Sequence, residues 1–135
     1  MSKKIFINLP VSNLAKSMDF YSSIGFTNNP QFTDETAACM VLTDEIYVML
    51  LTHNKFAQFT SKVIIDAKTI IGVINCISVD SVEEVNSMAE AALKAGGAEP
   101  IPAKDYGFMQ QRSFEDPDGN AWEVIYMDMS KFPGQ

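Results

Sequence analysis

Twice along this chain an alternating apolar run stops at a valine, and a helix cap follows at once. The two junctions are Val11-Ser-Asn-Leu14 and Val79-Asp-Ser-Val82. A strand-to-helix junction that recurs after half the chain marks an internal repeat. Before the first junction, Ile7, Leu9 and Val11 alternate with Phe6, Asn8 and Pro10, the period of a strand. Pro10 donates no ladder hydrogen bond, so it belongs at a sheet edge or a strand end. Ser12 or Asn13 then offers a helix cap, Leu14, Ser17, Met18, Tyr21 and Ile24 recur at helical spacing, and Gly25 closes the segment. Residues 26–32, broken by Asn28-Asn29-Pro30, read as a short strand or extended segment, and residues 36–43 and 46–52 as a hairpin.

The second half repeats that order. Residues 70–79 read as a strand, Ser81-Val-Glu-Glu84 as a capping box, and Val82, Val85, Ala89, Ala92 and Leu93 as the apolar stripe of a helix ended by Gly96-Gly97. A short strand is expected over 98–101, irregular because of Pro100 and Pro102. A final hairpin of 106–114 and 120–128 surrounds Asp116-Pro-Asp-Gly119, whose residues suit a type I turn. The class is α+β: one domain over 1–135, made of tandem βαβββ modules at about 1–60 and 70–130 joined by a linker at about 61–69. Two such modules can enclose a central cleft with the helices outside. Residues 55–60 suit one or two helical turns, and 131–135 a polar tail. Val63-Ile-Ile65 is apolar for a linker, which suggests packing across the module junction, or else a lid or a dimer contact.

Charge narrows the partners. Seventeen acidic residues against ten basic ones give a net charge of −7 with no Lys/Arg cluster, which argues against nucleic acid and against an anionic membrane surface. No apolar run reaches the ~20 residues of a membrane span. No signal-peptide core follows Met1-Ser-Lys-Lys, so a cytoplasmic location is expected. Cys39 and Cys76, widely spaced among apolar residues, read as buried free thiols.

Chemistry concentrates on Glu123, a carboxylate inside an apolar strand. Such a group needs a partner or a task. Three readings stay open: an ion pair with Arg112 in the neighbouring strand, contact with a ligand, or a general base. Strand parity turns Phe6, Asn8 and Pro10, Val48 and Leu50, Ile74, Cys76 and Ser78, and Glu123, Ile125 and Met127 towards the cavity. That is an apolar lining with a few polar groups, the make-up of a small-molecule site. Asn8 and Ser78 can orient a ligand, and Tyr106, Gln110 and Arg112 are expected near its mouth. Trp122, of opposite parity to Glu123, is expected to pack under the second helix.

The segment Asn8-Leu-Pro-Val-Ser-Asn-Leu-Ala-Lys-Ser-Met-Asp-Phe-Tyr21, with Ile24-Gly-Phe26 after it, resembles the opening of vicinal oxygen chelate proteins. That superfamily holds glyoxalase I, bleomycin resistance proteins and extradiol dioxygenases. Asp116-Pro-Asp-Gly-Asn-Ala-Trp-Glu123 is similar to its closing signature. Tyr47-Val-Met-Leu-Leu51 and Asp105-Tyr-Gly-Phe-Met109 look most like the predicted lactoylglutathione-lyase-like branch. The resemblance implies the glyoxalase/bleomycin resistance/dioxygenase fold and a homodimer. It also implies four metal-ligand positions, which fall here on Phe6, Leu50, Ile74 and Glu123. Only Glu123 can bind a metal, and the chain's single histidine, His53, reads as a solvated turn residue. No metal or other cofactor is therefore expected. The expected function is binding of a small, partly apolar molecule. The alternative is a glyoxalase-type lyase or isomerase with Glu123 as its catalytic residue.

Overall fold

A computed structural model describes residues 2–133, so the last two positions of the tail expected over 131–135 lie outside the described residues, as does Met1. The backbone divides into two compact units, Met1–Asp66 and Ala67–Gln135.

In the first unit, strand β1 (Ile5–Val11) leads into helix α1 (Leu14–Ser23), then β2 (Thr27–Asn29), β3 (Ala37–Val41), β4 (Ile46–Thr52) and the short helix α2 (His53–Phe56). Asn13 is the cap of α1, its side-chain oxygen accepting from the Lys16 amide at 3.0 Å. Gly25 ends that helix with φ +113°, a conformation that a side chain would oppose. The sheet order is β1-β4-β3-β2, with β1 parallel to β4 and the other pairs antiparallel. Leu9, Val11, Ala38, Met40, Val48 and Leu50 share one face by register and are all buried.

The second unit repeats the plan with β5 (Ile74–Ser78), α3 (Val82–Lys94), β6 (Lys104–Asp105), β7 (Met109–Glu115) and β8 (Ala121–Met127). Its order is β5-β8-β7-β6, again with the first strand parallel to the last. The Ser81 hydroxyl caps α3 by accepting from the Glu84 amide at 3.1 Å, and Glu83 and Glu84 sit in the first turn, where the helix dipole favours negative charge. Val85, Ala89 and Ala92 of α3 are buried together with Ile77, Phe114, Trp122 and Val124 of the sheet. The two four-stranded sheets, each with its helix, make the α+β tandem that the repeat predicts.

Some boundaries moved. Residues 70–73 are not strand: β5 starts at Ile74, whose register partner Ala121 is also the first residue of β8, so the ladder has nothing to pair with further back. Ile70, Ile71 and Val73 are left exposed. The strand expected over 98–101 shrinks to one bridge, Ala98 with Glu115, because Pro100 and Pro102 cannot donate. The turn at Asp116 is as its residues demand. The Gly119 amide donates to the Asp116 carbonyl at 2.9 Å, and the buried Asp116 carboxylate accepts from the amides of Asp118 and Asn120 at 3.0 and 2.9 Å.

Candidate functional site

The turn fixes the hairpin register, and the register fixes the site. Glu115 pairs with Ala121, so Ser113 stands opposite Glu123 and Gln111 opposite Ile125. On the other side of β8, Cys76 is the partner of Glu123 and Ser78 of Ile125. One face of the second sheet therefore carries the row Cys76–Glu123–Ser113, flanked by Ile74, Ser78, Ile125 and Gln111. The other face belongs to α3, because Arg112 reaches Asn86 and Glu90 of that helix from it. Trp122 lies on the α3 side, fully buried and stacked on Phe114.

Glu123 is partly buried, and its Oε2 accepts from Gln111 Nε2 at 2.9 Å. No Lys, Arg or His forms an ion pair with it among the described residues. The ion pair with Arg112 considered for Glu123 is not formed. Arg112 pairs in register with Val124, and strand alternation carries its guanidinium to the opposite face. There its Nε and Nη2 each donate to Glu99 at 2.9 Å, with Glu90 at 3.6 Å. The Glu99 carboxylate raises the guanidinium pKa further above its ordinary value.

Other expected site residues divide in the same way. Ile74 and Ser78 share the face of Glu123 and are exposed. Gln110 does not: it pairs with Tyr126, on the Arg112 side, and its amide donates to Asp105 Oδ1 at 3.0 Å. Tyr106 is half-exposed in the connection from β6 to β7. In the first unit, Phe6 stacks on Tyr47 with ring centroids 4.4 Å apart, and Asn8 is exposed beside Met49. Leu50 is turned the other way, as is Val48. Leu50 is the register partner of Leu9, on the buried face, and Met49 takes the position that parity had given it. Cys76 is exposed rather than buried, whereas Cys39 is buried as expected.

Two residues of the site were not anticipated. Gln111 and Ser113 are the neighbours of Glu123, not Gln110 and Arg112. The signal was available in the turn, because counting back and forward from Asp116-Pro-Asp-Gly119 pairs 113 with 123. The Ser113 hydroxyl is also a buried polar atom without a hydrogen-bond partner.

The Cys76 thiol is pushed above its usual pKa by desolvation and then by the nearby Glu123 carboxylate. A raised pKa means less thiolate at neutral pH, and the thiolate is the nucleophile. Cys76 is therefore expected to react with iodoacetamide more slowly than a free cysteine at the same pH. Glu123→Gln should speed that reaction, and mass-spectrometric labelling time courses would show it. An unchanged rate in the variant would break the electrostatic link between the two side chains.

Beyond Glu123, the positions that the resemblance assigns to ligands carry no usual donor for zinc, nickel or iron. At the positions that the resemblance assigns to ligands, Phe6 and Ile74 are hydrocarbon, and Met49 brings a thioether where Leu50 was expected. Among the described residues no group of three or more His, Cys, Asp or Glu could hold a metal ion, and His53 is exposed at the start of α2. Nor is any helix among the described residues long and apolar enough to cross a membrane.

Several solved structures share this architecture. A hypothetical protein from S. aureus superposes with a TM-score of 0.77 at 24% identity, over 93% of this chain and 95% of that one. A glyoxalase/bleomycin resistance protein/dioxygenase family enzyme from Burkholderia phytofirmans PsJN gives 0.76 at 16% identity, over 93% and 99%. A glyoxalase-related enzyme from Fulvimarina pelagi gives 0.76 at 19% identity, over 93% and 88%. These likenesses establish a shared fold. The sequence model of the glyoxalase/bleomycin resistance protein/dioxygenase superfamily matches residues 5–124, and the chain belongs to that superfamily. No curated protein matches it in sequence.

Proposed function

We propose that this protein binds a small, partly apolar molecule against the face of the second sheet that carries Glu123, and that it does so without the metal centre of its catalytic relatives. The observation that carries the reading is the composition of that face. Glu123, held by one amide, is set among Ile74, Ile125 and Met127, with Ser78 exposed beside them and Glu115 and Lys104 at the margins of the same face. An apolar surface with a few placed polar groups is the usual make-up of a small-molecule site. The protein works in the cytoplasm as a homodimer, a state supported by the exposed apolar side chains of Val63 and Ile65, and it engages neither nucleic acid nor membrane. Native mass spectrometry of protein purified without added metal tests ligand and assembly together. The expected spectrum is a dimer carrying a copurified small molecule and no stoichiometric metal. A stoichiometric divalent ion would overturn the metal-free reading.

A second reading is favoured by one feature, the orientation of Glu123 by Gln111. A carboxylate fixed in this way on a sheet face can serve as a base. The chain would then be a lactoylglutathione-lyase-like lyase or isomerase. Turnover of the methylglyoxal–glutathione hemithioacetal that is lost in Glu123→Gln would favour it over simple binding.

A further inference from the structure

We infer that the ligand of this face carries a protonated nitrogen, and that the Gln111 amide occupies the place which that nitrogen takes. The inference rests on the binding reading above and names the ligand's chemical class.

The argument starts from what Glu123 lacks. Its only hydrogen-bond donor among the described residues is a neutral amide, Gln111 Nε2 at 2.9 Å, and no cation forms an ion pair with it, Lys104 lying beyond Gln111 on the same face. The cation closest in sequence, Arg112, is held on the other face by two 2.9 Å bonds to Glu99. A carboxylate offers about four lone-pair sites, and Gln111 uses one of them. Charge-assisted hydrogen bonds are roughly twice as strong as neutral ones, so an ammonium N–H competes well with the amide for the same oxygen.

The second observation is Ser113. It is 5% exposed, its hydroxyl has no partner, and by register it sits opposite Glu123 on the same face. A buried hydroxyl without a partner is costly, and native structures seldom leave one without a reason. Here the reason is exchange. When a ligand nitrogen displaces Gln111, the released Glu123 side chain shifts towards Ser113 and accepts from its hydroxyl, so the carboxylate keeps a protein donor while it receives the cation. The rest of the face suits the rest of such a molecule: Ile74 and Met127 are about half exposed and present hydrocarbon to an apolar body.

The test is an NMR titration of the full chain with three probes of equal chain length: hexylamine, hexanol and hexanoate. Hexylamine should shift the amide signals of Cys76, Gln111 and Glu123 and bind more tightly than hexanol, with hexanoate weakest. Glu123→Gln should weaken hexylamine by about 10- to 100-fold, the range of a hydrogen bond to a charged group, and weaken hexanol much less, because a neutral hydroxyl has less to lose. Gln111→Ala removes the competing amide and should tighten hexylamine, a gain that a damaged fold would not give. Equal binding of hexylamine and hexanol, insensitive to Glu123→Gln, overturns the cation inference and leaves the apolar-ligand reading standing. No shift on this face with any probe overturns both.

Discussion

Trp122→Ala is expected to cost about 3–5 kcal/mol of folding stability, the range for removing a large aromatic side chain from a core. Trp122 is 1% exposed and stacks on Phe114 with rings nearly parallel, 6° apart, and the register puts the buried Ile77 and Val124 on the same face of the sheet. Its removal leaves a large cavity that short β-branched neighbours cannot fill. A domain of this kind has only about 5–15 kcal/mol in total, so the variant should lose a large fraction of it. Glu123→Gln, one residue further on, should stay within about 0.5 kcal/mol of the parent, as substitutions away from the core usually do. The contrast comes from strand alternation alone, since the two residues face opposite sides of β8. Urea unfolding followed by far-ultraviolet circular dichroism is the common probe, because Trp122 is the only tryptophan. A Trp122→Ala variant as stable as its parent would mean that this side of the sheet is not the anchor of the core.

Alternation also explains how much could be read before the structure. The doubled strand–helix order, the caps at Ser12 or Asn13 and at Ser81, and the shared face of Ile74, Cys76, Ser78 and Glu123 follow from local patterns; the structure agrees with them and chooses Asn13 for the first cap. Strand β4 was harder. Val48-Met49-Leu50-Leu51 is apolar at every position, so its sequence has no period, and only pairing with Leu9 decides that Leu50 faces the core. Arg112 was misplaced for a related reason. Proximity across a hairpin does not fix which residues stand opposite each other, and a shift of one residue moves a side chain to the opposite face. Its true partner, Glu99, reaches it through the bridge between Ala98 and Glu115, a pairing with no local signal. Exposure of Cys76 was not legible either. Apolar neighbours in sequence do not bury a residue whose own face of the sheet is open.

Gly119→Ala is expected to be at least as damaging as loss of the tryptophan, by a different mechanism. Gly119 has φ +93°, where an L side chain costs roughly 1–2 kcal/mol. A methyl group there would also lie 2.8 Å from the Ala67 carbonyl carbon and oxygen and from the Lys68 nitrogen. Those atoms are backbone and cannot swing aside like the end of a long side chain, so either the turn or the 67–68 segment must move. A loss of about 3–5 kcal/mol is expected, in the range kept for such severe local conflicts. Gly25→Ala is the control. It has a comparable φ of +113° but nothing within 4 Å of the added carbon, so it should show only the conformational cost of roughly 1–2 kcal/mol. The difference between the two urea midpoints isolates the contact of the turn with Ala67 and Lys68, and equal losses would show that this contact is not made. The consequence reaches the site. The turn that Gly119 closes sets Ser113 against Glu123, so any Gly119→Ala protein that does fold should also shift Gln111 and Ser113 relative to Glu123, and the amide signals of all three should move.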